Sequence, residues 1–204
     1  MSKYDSDSEE NLFQPGSNDL VLANTLGITD SEEMDEVERM LLVKLYNKLF
    51  IDNEAADSIC FQDILGWHRQ WLGNIYPWAG KLRTSNIGKG GFQFASPLRF
   101  ERLIAEFEQR YLKEFSSLDR FTDEELIQHI AQSHVEFILI HPVRDGNGRL
   151  SRLLIDMMTY KAGLGLQDYS LWDENKEFYF RSIQAGVSGD YQHICRLVRD
   201  ILSD

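Results

Sequence analysis

A chain of 204 residues, 43% of them hydrophobic, has enough apolar material for one globular domain with a full core. Its 33 acidic and 21 basic side chains give a formal net charge of −12, which lacks the basic footprint that broad nucleic-acid binding needs. No apolar run is long enough to cross a bilayer, so a membrane-spanning role is not expected either.

Residues 1–19 are polar and acidic, contain Pro15 and Gly16, and read as a flexible arm. The opening MSKYDSDSEE has no apolar centre and is not a secretory signal, so a cytoplasmic location is the expectation. Thr29-Asp-Ser-Glu32 reads as a capping box opening a helix that carries Met34, Val37, Leu41, Leu45 and Leu49 inward. A second helix is predicted near Phe61–Leu72, with Trp67 and Trp71 as core aromatics and His68 packing or capping. Helical periodicity then fails across YPWAGKLRTSNIGKGGFQFASP (76–97), where Gly80, Gly88, Gly90 and Gly91 suggest turns and a short β-hairpin. Helix resumes near 97–115, and Thr122-Asp-Glu-Glu125 starts a long helix that ends at the His141-Pro142 junction. Another runs from Arg149 to Ala162 and stops at Gly163, and two more follow near 174–185 and 191–202. Cys60 and Cys195 both fall in apolar helical patterns and read as buried free thiols, as in a reducing compartment.

Between the two central helices lies HPVRDGNGRLSR (141–152), the most informative run in the chain. His141 is a candidate general base, because a neutral imidazole within hydrogen-bond reach can take the proton of an alcohol. Asp145 is a candidate ligand for a hard cation. Gly146 and Gly148 allow backbone N–H groups to converge on an anion at a helix N-terminus, where the dipole favours phosphate. Arg149 and Arg152, three apart, lie on one helical face. Taken singly, a helix-ending histidine, an Asp-Gly turn and a pair of surface arginines are ordinary structural features. Their conjunction points to a site that holds a nucleotide polyphosphate and removes a proton beside it. Arg144 receives no role.

The run resembles the signature of the Fic family, H-x-F-x-[D/E]-G-N-G-R-x-x-R, and departs from it at one fixed position, where Val143 stands for phenylalanine. Three further segments are similar to that family in the same order: IYPWAGKLR with RTSNIGKGGFQFASP (75–97) to the flap, QPGSNDLVLANTLGITDSEEMDEVE (14–38) to the lead-in of stand-alone bacterial Fic proteins, and IQAGVSGDYQHI (183–194) to the closing helices. The resemblance implies a mainly α fold over residues 20–204, with about eight helices and a β-hairpin flap at about 81–96. It implies a protein adenylyltransferase that moves AMP from ATP to a Ser, Thr or Tyr hydroxyl of a target protein. His141 would be the base, Asp145 would hold Mg²⁺, and Gly146, Asn147 and Gly148 would cradle phosphate. Arg149 and Arg152 would reach the β- and γ-phosphates, and flap residues Lys89, Gly90, Gly91 and Phe92 would pair with the target's main chain.

Two alternatives stay open: transfer of another nucleotide or a phosphate group on the same fold, and a non-catalytic interaction module. The phosphate-transferring Doc type departs from Gly-Asn-Gly-Arg, which this chain keeps. Many Fic proteins are restrained by a Ser/Thr-x-x-x-Glu-Gly/Asn helix whose glutamate captures the second motif arginine. SDSEEN (6–11) and SLWDEN (170–175) both match that pattern and read as chance matches. The resemblance then points to the toxin-type subgroup, in which a small separate antitoxin supplies the glutamate that captures Arg152.

Overall fold

The computed structural model describes residues 9–52, 57–89 and 91–203. Among them are eight α-helices and one two-stranded hairpin. Helix α1 (Ser31–Tyr46) is capped by Asp30, whose carboxylate accepts from the Glu33 N–H at 2.9 Å. The cap therefore falls one residue after the expected Thr29, since a carboxylate accepts at N3 and also suits the positive end of the dipole. Helix α2 (Phe61–Leu72) buries Phe61, Ile64, Leu65, Trp67, His68, Trp71 and Leu72 along one face. The helix predicted over 97–115 is three geometries in series: a 3₁₀ turn at Pro97–Arg99, α3 (Phe100–Phe107) and a π turn at Glu108–Leu112.

Helix α4 (Asp123–Ile140) opens on the predicted capping box, with the Thr122 N–H donating to Glu125 at 2.8 Å. It is the central helix, packed against α3, α5 (Asn147–Lys161) and α8 (Gln192–Leu202), with Ile130, Val135 and Phe137 fully buried. Helix α5 buries Leu150, Leu153, Leu154, Met157 and Met158, and α2 fits between it and α1. Helix α6 (Ser170–Glu174) precedes α7 (Lys176–Ala185), so helix begins earlier than the expected 174. With α4 and α5 both held by their apolar faces, the six residues joining them have little freedom of placement.

Two expectations need correction. The arm predicted over 1–19 is held against the fold from Glu10 onward, and residues 1–8 lie outside the described residues. Glu10 Oε1 accepts from the N–H and hydroxyl of both Thr84 and Ser85, at 2.8 to 3.0 Å. Burial raises the pKa of that carboxyl, but these hydrogen bonds outweigh it and leave the group lowered. The second correction concerns Cys60, which is exposed rather than buried: it occupies the N-cap of α2, outside the apolar stripe, and its thiol contacts Asp63 at 3.1 Å. Cys195 is half-buried, and both thiols are free. No helix among the described residues is long and apolar enough to cross a membrane.

Candidate active site

The final carbonyls of α4 have no intrahelical partners and need donors from elsewhere. The segments flanking the hairpin supply donors to them and to the residues just past the helix. Ala95 N–H donates to Leu139 O at 3.0 Å and Arg83 N–H to Pro142 O at 2.9 Å. The buried Arg83 guanidinium donates to His141 O at 2.6 Å, Ala95 O at 2.6 Å and Ile140 O at 3.3 Å, and also to Ser85 O. Burial lowers the pKa of Arg83 to about 10, still well above neutrality. A cation at the negative end of α4 also complements its dipole.

These contacts hold His141 in a left-handed backbone conformation, φ 50° and ψ 59°, at the C-cap of α4. Such a conformation is uncommon for a side chain of this size and turns the imidazole out of the helical path. Its Nδ1 lies 3.2 Å from Ile138 O, so Nδ1 carries the proton and Nε2 keeps the lone pair. Phe94 stacks on the ring, with centroids 3.7 Å apart and planes at 11°. Burial, foremost, pushes the His141 pKa down to about 4. At neutral pH the imidazole is uncharged and able to accept a proton.

After His141 the chain is pinned by its own side chains. Asn147 Nδ2 donates to Val143 O at 2.8 Å, and Val143 N–H donates back to Asn147 Oδ1 at 3.1 Å. His68 accepts from Gly80 N–H at Nδ1 (2.9 Å), so its Nε2 bears the proton it gives to Asp145 O at 3.1 Å. Gly146 has φ +80° and caps α5, and a Cβ there would lie 2.7 Å from the Trp71 ring. The first intrahelical bond of α5 is Leu150 N–H to Gly146 O, so the amides of residues 147–149 precede the ladder. The Asn147 side chain thus shapes the loop, while its backbone N–H lies outside the ladder.

Each of the two arginines rests on an aromatic face and meets a carboxylate. Arg149 lies 4.5 Å from the Trp71 centroid, with Nη1 2.6 Å from buried Glu38 and Nη2 3.8 Å from Asp145. Arg152 lies 5.1 Å from the Tyr169 centroid and grips Asp173 with both Nη1 (3.0 Å) and Nη2 (2.7 Å). That pairing holds the Asp173 carboxyl below its ordinary pKa. Tyr169 is steadied by buried Asp156, which accepts from its hydroxyl at 2.9 Å and from that of Tyr46 at 2.6 Å.

The hairpin is shorter than the stretch from which it was expected: β1 (Gly88–Lys89) pairs antiparallel with β2 (Phe92–Gln93), with Lys89 opposite Phe92. Gly90 lies outside the described residues. A cavity of about 960 Å³ lies between this hairpin and the motif, lined by His141, Arg149, Arg152, Lys89, Phe92 and, from α7, Phe180. Lys89 Nζ stands 5.2 Å from the Phe180 centroid. That volume suits a nucleoside triphosphate. Among the described residues no three His, Cys, Asp or Glu side chains gather as a metal cluster. Asp145, half-exposed and lining the cavity, fits a hard cation that takes its remaining oxygens from phosphate and water.

The loop thus brings His141, Asp145, Gly146, Gly148, Arg149 and Arg152 to one cavity, with Lys89 and Phe92 facing them. The sequence reading missed Glu38, Arg83, Phe94, Tyr169 and Asp173, and did not separate Trp71 from the other core aromatics. Glu38 alone left a signal: a carboxylate on the buried stripe of α1 needs a buried partner. Neither glutamate of the two inhibitory-pattern matches is the carboxylate paired with Arg152. Glu10 is bound to Thr84 and Ser85, and the residue at Arg152 is Asp173, one before the exposed Glu174.

A model of the Fic/DOC family matches residues 58–159. The chain is 29% identical to a probable protein adenylyltransferase, y4lH, of Sinorhizobium fredii, over 99% of this chain and 100% of that protein. It is 32% identical to protein adenylyltransferase fic-1 of Caenorhabditis elegans over 81% of this chain, which spans only 30% of that longer protein. Among solved structures it is similar to the BepC effector of Bartonella tribocorum with bound AMPPNP, at 19% identity and a TM-score of 0.76, covering 96% of this chain and 97% of that one.

Proposed function

Because the chain belongs to the Fic/DOC family, we propose that it is a protein adenylyltransferase: the hydroxyl of a target Ser, Thr or Tyr attacks the α-phosphorus of ATP. An O–P bond forms, the bond from the α-phosphorus to the bridging oxygen breaks, and pyrophosphate leaves. The hydroxyl proton passes to Nε2 of His141. The observation that carries this reading is the state of that imidazole. Its Nδ1 proton is committed to Ile138 O, and it is neutral by burial, so the one open nitrogen is a lone pair at the edge of the cavity. A single general base of this kind contributes about 10²–10⁴ in rate.

The amides of residues 147–149 would face the phosphates, with Arg149 and Arg152 beside them. Asp145 would hold Mg²⁺, which when bound supplies charge neutralisation on the phosphate oxygens. The edge of β1 and β2 would align the target segment by main-chain pairing. For the restraint, the reading is a separate antitoxin whose glutamate competes for Arg152, since Arg152 pairs with Asp173 and not with either of the chain's own pattern glutamates, Glu10 and Glu174.

Incubation with ATP labelled on the α-phosphate and host lysate tests the activity, with the mass added to labelled targets naming the group. His141→Ala should lower transfer by about 10²–10⁴ while AMPPNP binding stays within a few fold. Transfer by that variant at the wild-type rate would remove His141 as the base. A chain that binds AMPPNP and transfers nothing would favour the interaction-module alternative.

A further inference from the structure

The buried stripe of α1 carries one carboxylate, Glu38, between buried Met34 and Leu45, and its side chain is 4% exposed. An ionised carboxylate at such a position persists only with partners on its oxygens. Oε1 accepts from the Tyr76 hydroxyl at 2.8 Å, Oε2 meets Arg149 Nη1 at 2.6 Å, and the backbone carbonyl of Glu38 accepts from Trp71 Nε1 at 2.8 Å. That indole is the one beneath the Arg149 guanidinium. One turn of α1 therefore fixes both the charge partner and the aromatic platform of a single arginine.

The two arginine clasps differ in what they leave free. Asp173 engages both terminal nitrogens of Arg152 and is half-exposed, so an incoming anion can displace it. Glu38 engages only Nη1 of Arg149 and is enclosed, while Nη2 is directed toward Asp145 in the cavity. We infer that Glu38 is a positioning residue for nucleotide binding: from behind, it fixes the Arg149 guanidinium so that a triphosphate meets a donor already ordered. The inference rests on the adenylyl-transfer reading of the same cavity. An arginine free to sample its rotamers would have to be ordered by the ligand, at a loss of about tenfold in affinity. Two of the three anchors survive replacement by glutamine, which still accepts from Tyr76 and keeps its backbone carbonyl for Trp71.

The test is a double-mutant cycle on the full chain, titrating AMPPNP with Mg²⁺ by calorimetry into wild type, Glu38→Gln, Arg149→Ala and the double variant, with melting temperatures for each. Glu38→Gln is expected to weaken binding about tenfold in the wild-type background and to add nothing once Arg149 is alanine. Unchanged or tighter binding by Glu38→Gln, or an equal loss in both backgrounds, overturns the inference, because a purely structural carboxylate would act without Arg149. If Glu38→Gln proves too unstable to titrate, Glu38→Asp, which keeps the charge but falls one methylene short of Arg149, enters the same cycle with the same expectation. A wild-type chain that does not bind AMPPNP overturns the adenylyl-transfer reading and this inference together. Binding lost in Arg149→Ala but kept in Glu38→Gln overturns this inference alone.

Discussion

Replacing Gly146 by alanine concentrates two separate penalties on one atom. The residue sits at φ +80°, a left-handed conformation that costs an L side chain about 1–2 kcal/mol. Its new Cβ would lie 2.7 Å from Cζ3 and 3.1 Å from Cη2 of Trp71. That ring cannot step aside freely, because it is 1% exposed and its Nε1 is bonded to the Glu38 carbonyl at 2.8 Å. Forced overpacking of this kind costs about 1–3 kcal/mol. Together the two give about 2–5 kcal/mol, and for a chain of this length each 1 kcal/mol lowers the melting temperature by about 2–4 °C. Gly146→Ala should therefore melt about 5–15 °C below wild type in calorimetry. It should also bind AMPPNP more weakly, since Trp71 is the platform of Arg149. Gly148→Ala is the matched control: nothing lies within 4 Å of its Cβ, and it occupies the first turn of α5, where alanine is the better helix former. A Gly146→Ala protein melting within a degree or two of wild type, or a Gly148→Ala protein equally damaged, would refute the steric argument.

Other consequences concern pH and the two clasps. Burial holds His68 and His141 down to about 4 and His134 to about 3, against an ordinary value of 6.5. The unfolded chain therefore binds protons that the folded chain refuses between those values. The stability these groups confer is complete above about 6.5 and falls as pH drops toward 4, by up to about 1.4 kcal/mol per pH unit per histidine. Urea midpoints from pH 8 to pH 4 measure this, and a flat profile would contradict the burial argument. Phe94→Ala removes the ring stacked on His141 and admits water, so the acid limb of the transfer rate should move from about 4 toward 6.5; a limb that stays put would assign the shift elsewhere. Asp173→Asn frees a guanidinium held at both terminal nitrogens by a half-exposed partner, and AMPPNP affinity should rise about two- to fivefold, whereas weaker binding would make Asp173 an orienting group.

Local chemistry alone determined much of this protein. The capping signal at Thr122, the apolar spacing of α2, α4 and α5, and the glycines at 146 and 148 mark helices and a turn that need no distant contact to be recognised. The motif residues were legible for the same reason: histidine, carboxylate and arginines lie within twelve consecutive positions, so their spacing is a property of one loop and one helical turn. Tertiary structure decided what those residues face. The stacking of Phe94 on His141, the clasp of Arg149 by Glu38 and that of Arg152 by Asp173 join residues up to 111 apart in sequence, and no local pattern encodes such pairings. The N-terminal segment shows the same limit. Its acidic composition reads as an unstructured arm, yet Glu10 finds four donors at Thr84 and Ser85 that exist only once the hairpin has been folded onto the end of α4. Periodicity reports which face of an element turns inward, whereas the identity of the group waiting there depends on how separate elements pack, and that is settled only in three dimensions.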